Sequence, residues 1–110
     1  MRADEVLKTI IIPRGNSGAG LTRKTRWFKV SKRREMDIST VAACFTVDRD
    51  GQNIVRHVRL AYGGVAAMPV RALKTEAWLL GKVWNAETVA SALPVLKTVF
   101  TPLSDVRGSA

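Results

Sequence analysis

Cysteine and histidine each occur once in the 110 residues, as Cys44 and His57. One cysteine excludes an internal disulfide and any cysteine-built zinc or iron–sulfur site, and one histidine excludes a paired-histidine metal site. No Cys–His catalytic pair is visible along the chain. Cys44 lies in the apolar run Val41–Phe45, where the expected role is a small buried hydrophobe. Long hydrophobic runs are also missing. The stretches around Val41–Val47 and Leu60–Val70 are short or broken by glycine, which excludes a membrane-spanning helix. The opening Met1–Glu5 lacks a basic start followed by an apolar segment, so the expected location is the cytoplasm. There is no internal repeat and no low-complexity tract.

The chain does have enough apolar side chains, 46% of the total, for one modest core. Its net charge of +9 is unevenly spread: residues 1–35 carry ten Lys/Arg against three acids, and residues 36–110 carry eight against six. An excess confined to one stretch points to an anionic partner, either nucleic acid or a phosphate-bearing cofactor.

Val6–Ile12, β-branched and ending at Pro13, reads as a strand, and Arg14–Gly20 as a flexible loop. Ile38–Val47 reads as a second strand with Val41, Ala43, Phe45 and Val47 on one face. Asp48-Arg49-Asp50-Gly51 then forms a turn, because Asp-Gly readily adopts positive φ. Ile54–Tyr62 returns as a strand, with His57 and Arg59 on its wetter face, and Gly63-Gly64 ends it. Pro69 suits a first helical turn, so a helix is expected over about 70–80, with Val70, Leu73, Ala77 and Leu80 buried and Gly81 as its stop. Asn85 can cap a second helix, with Glu87 at its positive end and Val89, Leu93, Leu96 and Phe100 as its apolar face. Pro94 should kink or break it. A strand hairpin followed by a helix pair makes the expected fold α+β, an antiparallel sheet with helices packed on one face.

Two motifs fail on inspection. Gly15, Gly20 and Thr22 have phosphate-loop spacing, but Leu21 occupies the lysine position, so a linker is the better reading. Asp48–Gly51 resembles the start of a calcium loop without the remaining ligands or the closing glutamate. The basic stretch Arg23–Arg34, with Trp27 and Phe28 inside it, has the composition of a nucleic-acid-binding segment, in which cations neutralise phosphates and aromatics stack on bases. A solvated charged loop is the commoner outcome for such a run, and no zinc-finger, helix-turn-helix or RNA-binding signature accompanies it.

Four strings, in order and in register, carry a family resemblance. They are Trp27–Ser39 (WFKVSKRREMDIS), Ala61–Ala67 with Pro69–Ala72, Gly81–Asn85, and Phe100–Ala110. Together they resemble the C-terminal domain of the flavoprotein of molybdenum hydroxylases, and within that group the small subunits of bacterial xanthine dehydrogenases. The resemblance covers residues 25–110. Residues 1–24 are similar to the last strand of the preceding FAD-binding domain plus a linker. One departure is Met68, where the family often has a helix-capping threonine.

The resemblance implies an α+β layer beside a flavin domain. In the complete enzyme, electrons from purine hydroxylation at a molybdenum cofactor pass through iron–sulfur clusters to FAD and then to NAD. Clusters and molybdenum cofactor belong elsewhere in that assembly, and FAD is shared with another domain. The implied partners are the remainder of the flavoprotein subunit and the molybdenum-binding subunit, with neither membrane nor nucleic acid involved. No residue here is implied as catalytic or metal-binding. Four are implied at the cofactor. Lys29 lies at the pyrimidine end of the flavin ring, where its charge stabilises the reduced form. Arg33 raises the positive potential in the flanking loop, Asp37 orients that loop, and Ile38 packs near the ring. The family's pyrophosphate-binding glycine loops and its final helix, expected to begin at Gly108-Ser109-Ala110, are not found in this sequence. The expectation is therefore a fragment, inactive alone, and marginally stable, self-associating, or completed by a partner chain that supplies the missing parts.

Overall fold

The computed structural model describes residues 2–12, 18, 20–32, 38–102 and 104. Four antiparallel strands form one sheet in the order β1-β2-β3-β4: β1 Thr22–Val30, β2 Val41–Arg49, β3 Val55–Gly63 and β4 Val70–Arg71. Helices α1, Leu73–Leu79, and α2, Ala86–Lys97, follow. This is the expected α+β architecture.

Cross-strand register fixes the two faces of the sheet. Phe45 stands opposite Leu60, and Val47 opposite Val58. Val47, Val58 and Leu60 make the core with Val55, Ala72, Leu79 and Ala92, and Phe45, Tyr62, Trp78, Trp84, Leu96 and Phe100 pack against it. Burying each large aliphatic contributes about 1.5–3 kcal/mol. A tilted aromatic row, Phe28–Phe45–Tyr62–Phe100, extends the core along the helix side with centroid spacings of 5.5, 5.2 and 4.9 Å.

Several expectations need correction. Val6–Ile12 forms no strand and lies exposed, because a β-branched run becomes a strand only with a ladder partner, and none is present among the described residues. The strand that pairs with β2 is instead the basic stretch Thr22–Val30, every residue of which is exposed at the sheet edge. Charges at an edge discourage unwanted pairing, which explains how so polar a segment can be a strand. β2 begins at Val41 rather than Ile38 and continues through Asp48 and Arg49. The turn is organised by Asp50, whose carboxylate accepts from Gln52 N and Ile54 N, both at 2.9 Å, and from Arg56 Nε at 2.7 Å. Positive φ falls on Asn53, at 63°, not on Gly51. Asparagine tolerates that conformation because its short side chain bonds locally.

Pro69 does not open a helix. Val70 and Arg71 pair with Tyr62 and Ala61 as β4, and α1 starts only after Ala72. Met68 is thus not at a capping position. The phase of α1 also differs: Ala72, Thr75, Glu76 and Leu79 are buried, while Leu73 and Leu80 are 60% and 56% exposed. Glu76 sets that phase. Its carboxylate accepts from Leu60 N at 2.8 Å and from Arg71 through Nε at 3.1 Å and through a second short bond from Nη2, which turns the acid inward. Gly81, at φ 78°, ends the helix as expected. Asn85 Oδ1 caps α2 by accepting from Thr88 N at 2.7 Å. The helix runs through Pro94 to Lys97 without a break, since a proline removes a single helical hydrogen bond and the packing of Ala92 and Leu96 retains the rest. Val89 and Leu93 are half-exposed rather than buried. Arg14–Ser17 and the tail from Asp105 lie outside the described residues, as do Arg33 and Asp37.

Candidate functional site

Strand alternation places the second sheet face opposite the helices. Trp27 pairs with Cys44, Lys29 with Ala42, Cys44 with Ala61, and Ala42 with Gly63. Because paired residues project to the same side, Ala42, Cys44, Ala61 and Gly63 form a floor of small groups. Trp27 and Lys29 stand along one margin, and Ser39 and Pro69 close the ends of a shallow hollow of about 470 Å³. A flat floor with an aromatic wall and an ammonium on its rim suits a planar, electron-accepting ring.

The base of the β1–β2 loop is closed by a hydrogen bond from Thr40 N to the Val30 carbonyl, 2.8 Å, one residue beyond Lys29. Gly64 supports this closure. It has φ 84°, and a Cβ there would lie 2.2 Å from the Thr40 carbonyl oxygen, so the backbone approach requires glycine. Ile38 is 64% exposed in the loop, three residues before β2. Of the four residues implied at the cofactor, Lys29 lines the hollow and Ile38 lies in the adjoining loop; Arg33 and Asp37 fall outside the described residues.

At the far end of the same face, Arg23 donates from Nε and Nη2 to both oxygens of buried Asp48, each at 2.7 Å. His57 Nδ1 lies 3.6 Å from the same carboxylate. The Arg23 hydrogen bonds hold the Asp48 carboxyl below its usual range, overcoming the opposing effect of burial. Burial alone would raise Glu76, but the bonds from Arg71 and Leu60 N lower it. The Asp48 contact also tests the nucleic-acid reading. Arg23 is committed to an internal pair, and alternation sends Lys24 and Arg26 to the face opposite Lys29. The basic run is therefore split between two faces rather than gathered on one.

Cys44 is exposed, not buried. The same alternation that turns Ala43 and Phe45 toward the helices turns Cys44 outward. That signal was present in the sequence, and the apolar character of the run hid it. Trp27 is likewise part of the hollow rather than a base-stacking group in a loop.

Neither described helix start offers a phosphate cradle. The N-terminus of α2 is occupied by its own Asn85 side chain, and α1 is a single short element opening at Ala72 without a side-chain cap. Among the described residues, the hollow therefore suits a planar ring, and neither helix start suits a pyrophosphate.

Residues 26–110 match the family of CO dehydrogenase flavoprotein C-terminal domains. Xanthine dehydrogenase 1 of Arabidopsis thaliana is 32% identical over 98% of this chain and 8% of its own length. Xanthine dehydrogenase of Oryza sativa subsp. japonica is 36% identical over 88% of this chain and 7% of its own. Among solved structures, carbon monoxide dehydrogenase from Hydrogenophaga pseudoflava has a TM-score of 0.69 at 30% identity, covering 83% of this chain and 30% of that one. Quinoline 2-oxidoreductase from Pseudomonas putida 86 gives 0.66 at 25% identity, with 77% and 29% covered. The chain therefore spans less than a tenth of the curated relatives' length and less than a third of the solved chains.

Proposed function

Because the chain belongs to the CO dehydrogenase flavoprotein C-terminal domain family, we propose that it forms the flavin-facing wall of a cytoplasmic xanthine dehydrogenase flavoprotein. The observation that carries this reading is Lys29 on the rim of the small-residue hollow, on the sheet face the helices leave open. Bound FAD supplies the redox chemistry, taking electrons from purine hydroxylation by way of iron–sulfur clusters and delivering them to NAD. This chain's residues provide position and field. Lys29 places a positive charge where negative charge gathers on reduction, Trp27 and the floor of Ala42, Cys44, Ala61 and Gly63 hold a planar group, and Arg33, Asp37 and Ile38 belong to the loop beside it. The pyrophosphate is held by another domain, so the chain alone is inactive.

The test joins this chain to a xanthine dehydrogenase flavoprotein from which the equivalent domain has been removed, with the flavin midpoint potential measured for the wild type and for Lys29→Ala. At about 4 Å near a protein surface, one charge contributes roughly 1–4 kcal/mol. Loss of Lys29 should therefore lower the potential by about 20–85 mV, since 30 mV corresponds to about 1.4 kcal/mol for two electrons. The isolated chain should bind FAD only weakly, by flavin fluorescence quenching. An unchanged potential, or tight Lys29-independent binding by the chain alone, would count against the reading.

A further inference from the structure

Between the sheet and the two helices lies a cavity of about 200 Å³. It is lined by the rings of Phe45, Tyr62 and Trp84, by Val89 and Leu96 of α2, and by Thr75 of α1. Its wall is carbon almost throughout, and no charged residue contributes to it among the described residues. Val89 is 37% exposed, so the cavity opens to solvent beside α2. Close packing leaves few voids of this size in a domain core. An apolar cavity of about 150 Å³ takes up a benzene-sized molecule, so this one has room for a substituted six-membered ring.

Thr75 breaks the apolar pattern. It is 2% exposed, and its Oγ1 has no hydrogen-bond partner among the described residues. A helical threonine can satisfy its hydroxyl by bonding back to a carbonyl of the preceding turn, and Thr75 does not. A buried hydroxyl left unpaired is costly, and a valine of the same shape would avoid that cost. Thr75 thus offers an unmet donor and acceptor in an otherwise apolar wall. The chemistry of an occupant follows from this. An ion would lose its hydration with no charge to replace it. A purine or an isoalloxazine would bring several polar atoms to a site that answers one, which distinguishes this cavity from the Lys29 hollow. From this geometry we propose that the cavity under α2 binds a small uncharged aromatic molecule carrying a single hydroxyl or amine. Its ring packs among Phe45, Tyr62 and Trp84, and its polar group bonds to Thr75 Oγ1.

The proposal does not depend on the flavin reading and is tested on the full chain by methyl NMR. Phenol and toluene serve as probes, since they share a shape and differ in one hydroxyl. Phenol should shift the methyls of Leu79, Val89 and Leu96, and hypoxanthine, a purine, should not. Thr75→Val keeps the shape of the wall and should lower the affinity for phenol relative to toluene about two- to twelvefold, the worth of one neutral hydrogen bond. Thr75→Ser keeps the hydroxyl and should preserve the ratio. A merely structural role for Thr75 would move both ligands together, and methyl spectra unchanged away from the cavity confirm the fold of each variant. No shift at millimolar phenol, shifts confined to another surface, an unaltered phenol-to-toluene ratio in Thr75→Val, or equal binding of hypoxanthine would each overturn the proposal.

Discussion

Gly64 ends β3 at φ 84°, and a Cβ there would meet the Thr40 carbonyl oxygen at 2.2 Å, a separation no relaxed structure contains. Gly64→Ala therefore incurs two separable costs. The left-handed conformation costs alanine about 1 kcal/mol, and relieving an overlap against backbone rather than a flexible side chain adds about 1–3 kcal/mol. The sum is about 2–4 kcal/mol. At about 4–8 °C per kcal/mol for a domain of this size, the melting temperature should fall roughly 10–30 °C. Thermal unfolding followed by circular dichroism, at several protein concentrations, measures this. The damage should also be local, because Thr40 N is the donor that closes the β1–β2 loop on Val30. Exchange of the Thr40 amide should accelerate more than that of Val47 or Val58. Gly64→Asn separates the two costs, since asparagine tolerates the conformation but carries the same Cβ, and it should recover only the smaller part. A fall of less than about 3 °C for Gly64→Ala, with Thr40 exchange unchanged, would refute the reasoning.

The other expectations concern charge, a hydroxyl and the thiol. Asp48 and Glu76 both have depressed pKa values, so the stability they contribute is present above the unfolded carboxylate range, near about pH 4, and is lost as pH falls through their folded values. Urea unfolding between pH 7 and 3 should show the decline, with a shallower acid limb in Asp48→Asn. Thr75 is 2% exposed and its hydroxyl has no hydrogen-bond partner among the described residues, so Thr75→Val should be neutral or stabilising by about 1 kcal/mol; destabilisation beyond about 1 kcal/mol in the same assay would contradict it. Cys44, exposed on the open sheet face, should react fully with a thiol reagent without denaturant, and protection of the folded chain would show the hollow to be covered.

Sequence periodicity carried the order of the elements well. The β2–β3 hairpin, the glycines that end β3 and α1, and the Asn85 cap are local events, each governed by a turn or cap residue that is legible by itself. The failures share a cause, which is that the deciding contact is distant in sequence. Leu73 and Leu80 have the spacing of a buried stripe, but the phase of α1 follows from Glu76 reaching Leu60 N and Arg71. Val6–Ile12 has strand composition and no ladder partner among the described residues, while the basic Thr22–Val30 has a partner and becomes a strand. Among the candidate site residues, Lys29 was legible only through family resemblance. The hollow beside it was not legible at all, since its floor is assembled from small side chains on two different strands and nothing in Ala42, Cys44, Ala61 or Gly63 taken singly announces a surface.

The helices also differ in how they are attached. α1 is stitched to β3 by the Glu76 carboxylate and by the Ala72 N to Leu60 carbonyl bond of 2.9 Å, whereas α2 packs on α1 and brings its backbone close to no strand among the described residues. Along its length α2 is joined to the sheet by side chains, with Phe100 on Tyr62 just past its end, and it is tied by backbone only at its start, where Trp84 N donates to the Asn53 carbonyl at 2.8 Å. The molecule therefore has a graded hierarchy of opening. α2 can lift away as a unit, exposing Ala92 and the aromatic row, while the meander beneath keeps every backbone hydrogen bond. This seam lies on the face away from Lys29, so a partner settling over α2 would rigidify the protein without touching the hollow.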